Sequence, residues 1–124
     1  MVFKATITNI KTKDKISQIC FNSEFGDFIM IGLDLNNIKI GSQVMIGCKS
    51  SDILIFKFDP QTNNKFKAKI TKIDQGDIIS CVNLSSNNIQ FQSLISSNLS
   101  LNLKQNDEVF VYISETSLYI SEVL

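Results

Sequence analysis

One short polar segment of this 124-residue chain combines groups that can bind an anion. Lys49-Ser50-Ser51 offers an ammonium group, two hydroxyls and consecutive backbone N–H groups. Donors of these kinds can hold a tetrahedral dianion in a partly dry pocket, the lysine supplying charge and the neutral donors supplying geometry. We therefore treat the segment as a candidate oxyanion site. The alternative is an exposed polar turn at the end of a strand.

Residue types that usually perform catalysis are missing or scattered. The chain has no histidine, so the common general base near neutral pH and the commonest metal ligand are absent. The carboxylates are spread among apparent loops, with no clustered nucleophile beside them. We expect no enzyme, no metal site and no cofactor.

Composition limits the remaining functions. Apolar residues make up 44% of the chain, which excludes a disordered polar tail. The formal net charge is zero, so no global field attracts nucleic acid or anionic lipid. The cysteines Cys20, Cys48 and Cys81 are too widely spaced for a zinc motif and are expected to be half-buried thiols. No signal pattern opens the chain, and no apolar run approaches the roughly 20 residues that span a bilayer. These features predict a cytoplasmic protein with no membrane or nucleic-acid partner.

An internal repeat organises the sequence. The segment 3–10 recurs as 66–73, at an offset of 63, and the segment 38–46 aligns with 103–111, at an offset of 65. Residues 59–65 form a polar linker that contains the only proline, Pro60. We predict a first module over 1–58, this linker, and a second module over 66–124.

Alternation of apolar and polar residues predicts about five short strands in each module. Phe3, Ala5 and Ile7 alternate with polar residues, and Val109, Val111 and Ile113 occupy alternate positions on one face of a strand in the second copy. A single helical turn is expected only within 94–101. Because a barrel of about 60 residues buries a small fraction of its surface, stability should come from packing modules together. We expect an oligomer, with a two-lobed monomer as the alternative.

The motifs resemble the Mop/TOBE family of molybdate- and tungstate-binding domains, including the ligand-binding half of the ModE regulator. Residues 64–73 are similar to the family's opening segment, Asn-x-x-x-Gly-x-Val-x-x-Ile, with Ala68 in place of the glycine. Residues 38–44 and 103–109 resemble its Leu-Lys-x-Gly-Asp-x-Val block. Residues 48–53 resemble the segment that ends Ile-Lys-Ala-Ser-x-Val.

This resemblance implies an all-β fold of two tandem OB-like small barrels with strands exchanged between modules. It implies oxyanion sites at module interfaces and a homo-oligomer, with a trimer of two-module chains favoured. The function that it implies is cytoplasmic binding of molybdate or tungstate for storage, buffering or sensing in molybdenum homeostasis.

The sequence departs from the family at the ligand segments. The family's Ser-Ala-Arg-Asn precedes the first strand, and only the second repeat has residues there: Gln61-Thr62-Asn63-Asn64, with Asn63 in place of the arginine. The second copy of the lysine segment has Ser114 and Glu115, and a glutamate there should repel a dianion. We therefore predict one class of oxyanion site, within a chain or across subunits, from two half-sites, Lys49, Ser50, Ser51 and Thr62, Asn63, Asn64.

Two other interpretations stay open. The missing arginine and Glu115 are also compatible with a protein-interaction or assembly module of a molybdate transport or regulatory system, whose anion sites have decayed. Lysines 65, 67, 69 and 72 surround Phe66, a pattern that occurs in nucleic-acid-binding OB-like barrels. Acidic residues elsewhere largely balance these lysines, which argues against a nucleic-acid partner.

Overall fold

Ten β-strands form two five-stranded antiparallel sheets in the computed structural model, which describes residues 1–33, 35 and 37–124. The strands are β1 (Val2–Lys13), β2 (Ile16–Ser23), β3 (Gly26–Leu33), β4 (Gln43–Gly47), β5 (Ile53–Phe56), β6 (Lys65–Asp74), β7 (Ile79–Ser86), β8 (Ile89–Ser96), β9 (Glu108–Ile113) and β10 (Tyr119–Val123). A 3₁₀ turn over Ser50–Asp52 precedes β5, and a one-turn helix, α1 (Ser97–Ser100), follows β8.

Two compact units contain these sheets. The N-terminal unit comprises 2–48 and 114–124, and its sheet has the order β10-β4-β1-β2-β3. The central unit comprises 49–113 together with Met1, and its sheet has the order β5-β9-β6-β7-β8. Each sheet thus takes one edge strand from the other repeat of the sequence. The prediction of tandem OB-like all-β modules with strand exchange is confirmed, while the boundaries 1–58 and 66–124 remain a prediction about the sequence repeat.

Alternation places one face of most strands in a core; β10 is the exception, with no buried residue. In the N-terminal unit, Phe3, Phe21, Phe25 and Phe28 are buried, with ring centroids of neighbouring pairs 5.2 to 6.2 Å apart. In the central unit, Phe66 packs on Phe91 at 5.7 Å, and the remaining core is mostly aliphatic. Burying these side chains supplies most of the drive for folding.

A shared irregularity confirms the alignment of the repeats. The pairing of β1 with β2 shifts between Ile7 and Asn9, and that of β6 with β7 shifts between Ile70 and Lys72, at the offset of 63. The Ile7 carbonyl accepts from the Gly41 N–H at 2.8 Å, and the Ile70 carbonyl accepts from the Asn106 N–H at 2.7 Å. The two donors, Gly41 and Asn106, are related by the offset of 65. The β-bulge therefore turns each first strand toward the loop that precedes β4 or β9.

Turn residues with left-handed backbones close the hairpins. Asp14 and Lys15, between β1 and β2, have φ angles of 52° and 69°. Asn87 and Asn88, between β7 and β8, have φ angles of 50° and 64°. Two consecutive positive φ angles match the right-handed twist of the flanking strands. The single helical turn expected within 94–101 is α1.

Candidate functional site

Lys49-Ser50-Ser51 connects β4 to β5 through the 3₁₀ turn. Lys49 is extended, with φ −76° and ψ 147°, and its carbonyl accepts from Asp52 N–H at 3.0 Å. The Ile53 N–H donates to the Ser50 carbonyl. The side chains of Lys49 and Ser51 are exposed and Ser50 is half-buried. The turn therefore presents one ammonium group and two hydroxyls to solvent. The N–H groups of Asp52 and Ile53 form hydrogen bonds within the turn.

A buried serine fixes the start of β5. The Ser93 hydroxyl, on β8, donates to the Ile53 carbonyl at 2.6 Å, and both residues are 0% exposed. Since β5 and β8 are the two edge strands of the same sheet, this bond ties one edge to the other. A short bond between buried groups is costly to break, so it positions the turn that carries Lys49.

An ordered polar turn precedes the second half-site. The Asp59 carboxylate accepts from Gln61 N–H at 3.0 Å and forms an ion pair with Lys65. The Lys65 ammonium, with the Gln61 N–H, holds the pKa of the Asp59 carboxyl below its usual value. The linker predicted from its proline is therefore an ordered turn. The positive charge of Lys65 is paired with the Asp59 carboxylate.

The three residues of the second half-site differ in exposure. The Thr62 hydroxyl is half-buried and donates to the side-chain carbonyl of Asn63, which is exposed, at 3.1 Å. Asn64 is 1% exposed and has a left-handed backbone, with φ 57°. Asparagine adopts this conformation more readily than most residues. Thr62 and Asn63 can reach a solvent-borne anion, whereas Asn64 is placed to hold the backbone.

The end of β9 brings the two half-sites to one end of the central sheet. Ile53, just after Ser50-Ser51, pairs with Ile113 on one side. On the other side, Ile113 N–H donates to the Asn64 carbonyl at 3.1 Å. Because neighbouring strands lie about 4.8 Å apart, the backbones at Ile53 and Asn64 are separated by roughly 10 Å across Ile113. Segments that are distant in sequence thus flank the same strand end.

The equivalent segment of the second repeat lies in the N-terminal unit. Its Ser114 and Thr116 hydroxyls are 3.2 Å apart, and the Glu115 carbonyl accepts from Ile31 N–H at 2.9 Å. Glu115 takes the sequence position that Ser50 occupies in the first copy. A carboxylate there makes this copy a poor match for a dianion.

Sequence reasoning missed Ser93 and Ile113 as positioning residues. The sequence does carry a signal for Ser93, since a serine that takes an inward position after Phe91 in an alternating strand needs a hydrogen-bond partner. No comparable signal marks Ile113, because its role comes from strand pairing rather than from residue type.

The described residues supply few other candidate sites. The cysteines are free thiols: Cys20 and Cys81 are half-buried, as predicted, and Cys48 is fully buried. Within 1–33, 35 and 37–124, no three histidine, cysteine, aspartate or glutamate residues are grouped to hold a metal ion. In the same residues, no helix is long and apolar enough to cross a bilayer.

Comparison with solved structures identifies this architecture as the all-β fold of tandem Mop modules, the fold that the Mop/TOBE resemblance implies. The chain is similar to the crystal structure of the cytoplasmic molybdate-binding protein ModG, in the form grown from PEG with molybdate bound. The TM-score is 0.86, with 15% identity over 97% of this chain and 94% of ModG. No protein family model and no curated protein matches the sequence. At this level of identity the likeness concerns the fold.

Proposed function

We propose that this protein binds molybdate or tungstate in the cytoplasm and serves to store, buffer or sense the oxyanion. The observation that carries the proposal is the position of the two half-sites, on either side of Ile113 at one end of the central sheet. The similarity to the fold of a molybdate-binding protein supports it. The anion is cargo, so the proposal is binding rather than catalysis.

Each residue has a distinct role in this proposal. Lys49 supplies positive charge, and the Ser50 and Ser51 hydroxyls donate hydrogen bonds to anion oxygens. On the other side of the strand end, Asn63 adds a neutral donor, and the Thr62 hydroxyl orients it by donating to its side-chain carbonyl. Asn64 acts as a positioning residue, because its side chain is buried and its carbonyl is bonded to Ile113. Because Lys49 is the one cation of the proposed site, binding should depend on its charge, while the neutral donors set the geometry.

Thermal unfolding with molybdate, tungstate and sulfate at equal ionic strength tests the proposal. A ligand at a hundredfold excess over its Kd stabilises the folded state by about 2.7 kcal/mol. For a chain of this size, each kcal/mol raises Tm by about 3–5 °C. We expect molybdate and tungstate to raise Tm and sulfate to have little effect. Lys49→Ala should remove most of the shift.

A matched variant, Lys104→Ala, controls for the loss of one exposed positive charge in the central unit. It should keep the full shift with molybdate. An equal loss in both variants would mean that the anion responds to general charge and not to the site. No shift with any anion in the unmodified protein would disprove the proposal.

A second candidate function, a protein-interaction module with decayed anion sites, is favoured by the burial of Asn64 and by Glu115. It shares the fold but predicts no anion-dependent change in Tm. The same titration therefore separates the two candidates.

We also propose that the chain forms a homo-oligomer, with a trimer favoured. Large apolar side chains cluster around α1 and the start of β7, where Ile78, Ile79, Leu99 and Leu101 are 81%, 61%, 64% and 71% exposed. The two segments adjoin, since the Ser97 N–H donates to the Ile78 carbonyl at 2.9 Å, and apolar side chains exposed close together often mark a contact with another protein. Light scattering should give a mass above that of one chain. Leu99→Ser with Leu101→Ser should lower it, whereas a monomeric unmodified protein would contradict the proposal.

A further inference from the structure

The outer face of the central sheet carries a row of lysines. On β6, the side chains of Phe66, Ala68 and Ile70 are buried, and the alternating residues Lys65, Lys67 and Lys69 face outward. Alternate residues on a strand are about 7 Å apart. Lys67 and Lys69 are exposed, and Lys65 is half-buried beside Asp59.

Aromatic rings from neighbouring strands flank this row. On β9, Tyr112 lies opposite Lys65 and Phe110 lies opposite Lys67, and the Lys67 ammonium is 5.8 Å from the centroid of the Phe110 ring. Directly opposed residues in an antiparallel pair share one face of the sheet. The outer face therefore presents cations and aromatic rings side by side.

Phe56 and Phe58 extend this line of rings onto and beyond the edge strand β5, so that Tyr112, Phe110, Phe56 and Phe58 form an aromatic row. Phe56 lies opposite Phe110, and its ring centroid is 6.5 Å from that of Tyr112. Beyond the end of β5, Phe58 lies 6.3 Å from Phe56 and is 72% exposed. A phenylalanine this exposed contributes little to the core, so its ring is available to a ligand.

A polar hollow lies beside the lysines Lys67 and Lys69. It has a volume of about 240 Å³ and is lined by Lys67, Lys69 and the serines and asparagine that end β7, together with Glu108. Glu108 faces Lys69 across the sheet and reduces the local positive charge. The Ser86 hydroxyl donates to the Lys67 carbonyl at 2.8 Å, so the hollow offers an anionic group two ammonium groups and the Ser85 hydroxyl.

The N-terminal unit provides an internal comparison. The positions equivalent to Lys65, Lys67 and Lys69 are Val2, Lys4 and Thr6. Those equivalent to Phe110 and Tyr112 are Met45 and Gly47. The repeated scaffold therefore does not require the lysine row or the aromatic row, and their presence in the central unit alone indicates a separate use.

We propose that this face binds single-stranded nucleic acid, with bases stacked on the aromatic row and phosphates held by Lys67 and Lys69. Sequence-independent binders of single strands combine these two features. The sequence argued against such a partner on overall charge, and the one aromatic residue that it placed among the lysines, Phe66, is buried. Strand pairing instead supplies half-buried rings from β9 and β5, and Phe58, just beyond β5, adds an exposed one.

Fluorescence anisotropy with labelled oligothymidylate and oligouridylate tests this proposal over a range of salt concentrations. The logarithm of the binding constant should fall linearly with that of the salt concentration. Replacing one phosphate-binding lysine should reduce this slope by about 0.7, so Lys67→Gln with Lys69→Gln should reduce it by about 1.4. Phe58→Ala should weaken binding about tenfold, because it removes a ring on which a base stacks.

The control pair, Lys11→Gln with Lys13→Gln, removes two exposed lysines at the same spacing from β1 of the N-terminal unit. It should leave the slope and the affinity unchanged. Equal effects of the two lysine pairs, competition by inorganic polyphosphate as effective as by the oligonucleotide, or no binding at low salt would each overturn the proposal. Binding of either oligonucleotide supports it, and the tighter of the two identifies DNA or RNA as the preferred strand.

Molybdate and oligonucleotide binding are separable by variant. Lys49→Ala should retain nucleic-acid binding, and the Lys67→Gln, Lys69→Gln protein should retain the Tm shift with molybdate. Loss of both activities in either protein would contradict the assignment of two independent sites.

Discussion

Phe21→Ala is expected to destabilise the protein by about 3–5 kcal/mol, because it removes a large ring from a fully packed position. Phe21 is 0% exposed, and its ring lies 6.1 Å from Phe3 and 5.7 Å from Phe28. The destabilisation combines the transfer energy of the ring with the cavity left behind and with the aromatic contacts. Urea denaturation followed by circular dichroism should show a lower midpoint with an unchanged slope.

Two further variants, Phe58→Ala and Phe21→Leu, serve as controls for this prediction. Phe58→Ala removes the same ring from a position that is 72% exposed and should change stability by less than about 0.5 kcal/mol. The central unit has Leu84 at the position equivalent to Phe21, which is also 0% exposed. Phe21→Leu should therefore cost much less than Phe21→Ala. A Phe21→Ala protein as stable as the Phe58→Ala protein would show that the ring cluster is not a core.

Much of the fold could be predicted because the strand pattern is local. The alternation of Phe3, Ala5 and Ile7 with polar residues identifies β1, and its recurrence identifies β6. The change of offset from 63 to 65 was visible in the sequence. In the structure, both repeats have the same β-bulge in the first strand and the same hydrogen bond from that strand to the loop before β4 or β9. These features depend on residues close together in the chain, so residue types are sufficient to reveal them.

Strand partners could not be predicted from the pattern. Alternation shows which side of a strand is buried, but it does not show which strand lies beside it. β5 and β10 each pair with the other repeat, and only the family resemblance implied this exchange. The same limit hid the aromatic row, since Phe56, Phe110 and Lys67 come together only through pairing.

The sequence predicted the exposure of one half of the candidate site correctly and that of the other half only in part. Lys49, Ser50 and Ser51 lie on a solvent-accessible turn, as a binding segment requires. Asn64 follows a proline and a run of polar residues, which indicated an exposed linker, yet it is buried with a left-handed backbone. Burial of a polar residue depends on contacts from distant strands, here Ile113 of β9, that the local sequence does not contain.

The strand exchange predicts that residues 1–58 alone cannot complete a unit as a monomer. This fragment contains β1 to β4 but lacks β10, which covers the edge of β4. It also carries β5 without its partner β9. We expect the fragment to be largely unfolded at low concentration, because an open five-stranded module of this size buries too little surface.

At high concentration the fragment should fold as a symmetric dimer, in which β5 of one copy replaces β10 of the other. The repeat supports this substitution: Leu54 pairs with Tyr112, and Tyr119 pairs with Gly47, the residue equivalent to Tyr112. Exchange of an identical element between copies is a low-cost route to a dimer. Circular dichroism and sedimentation over a range of concentrations should show folding and dimerisation together. A fragment that is folded and monomeric at every concentration would mean that β5 folds back on its own β4, and that the exchange is not required for stability.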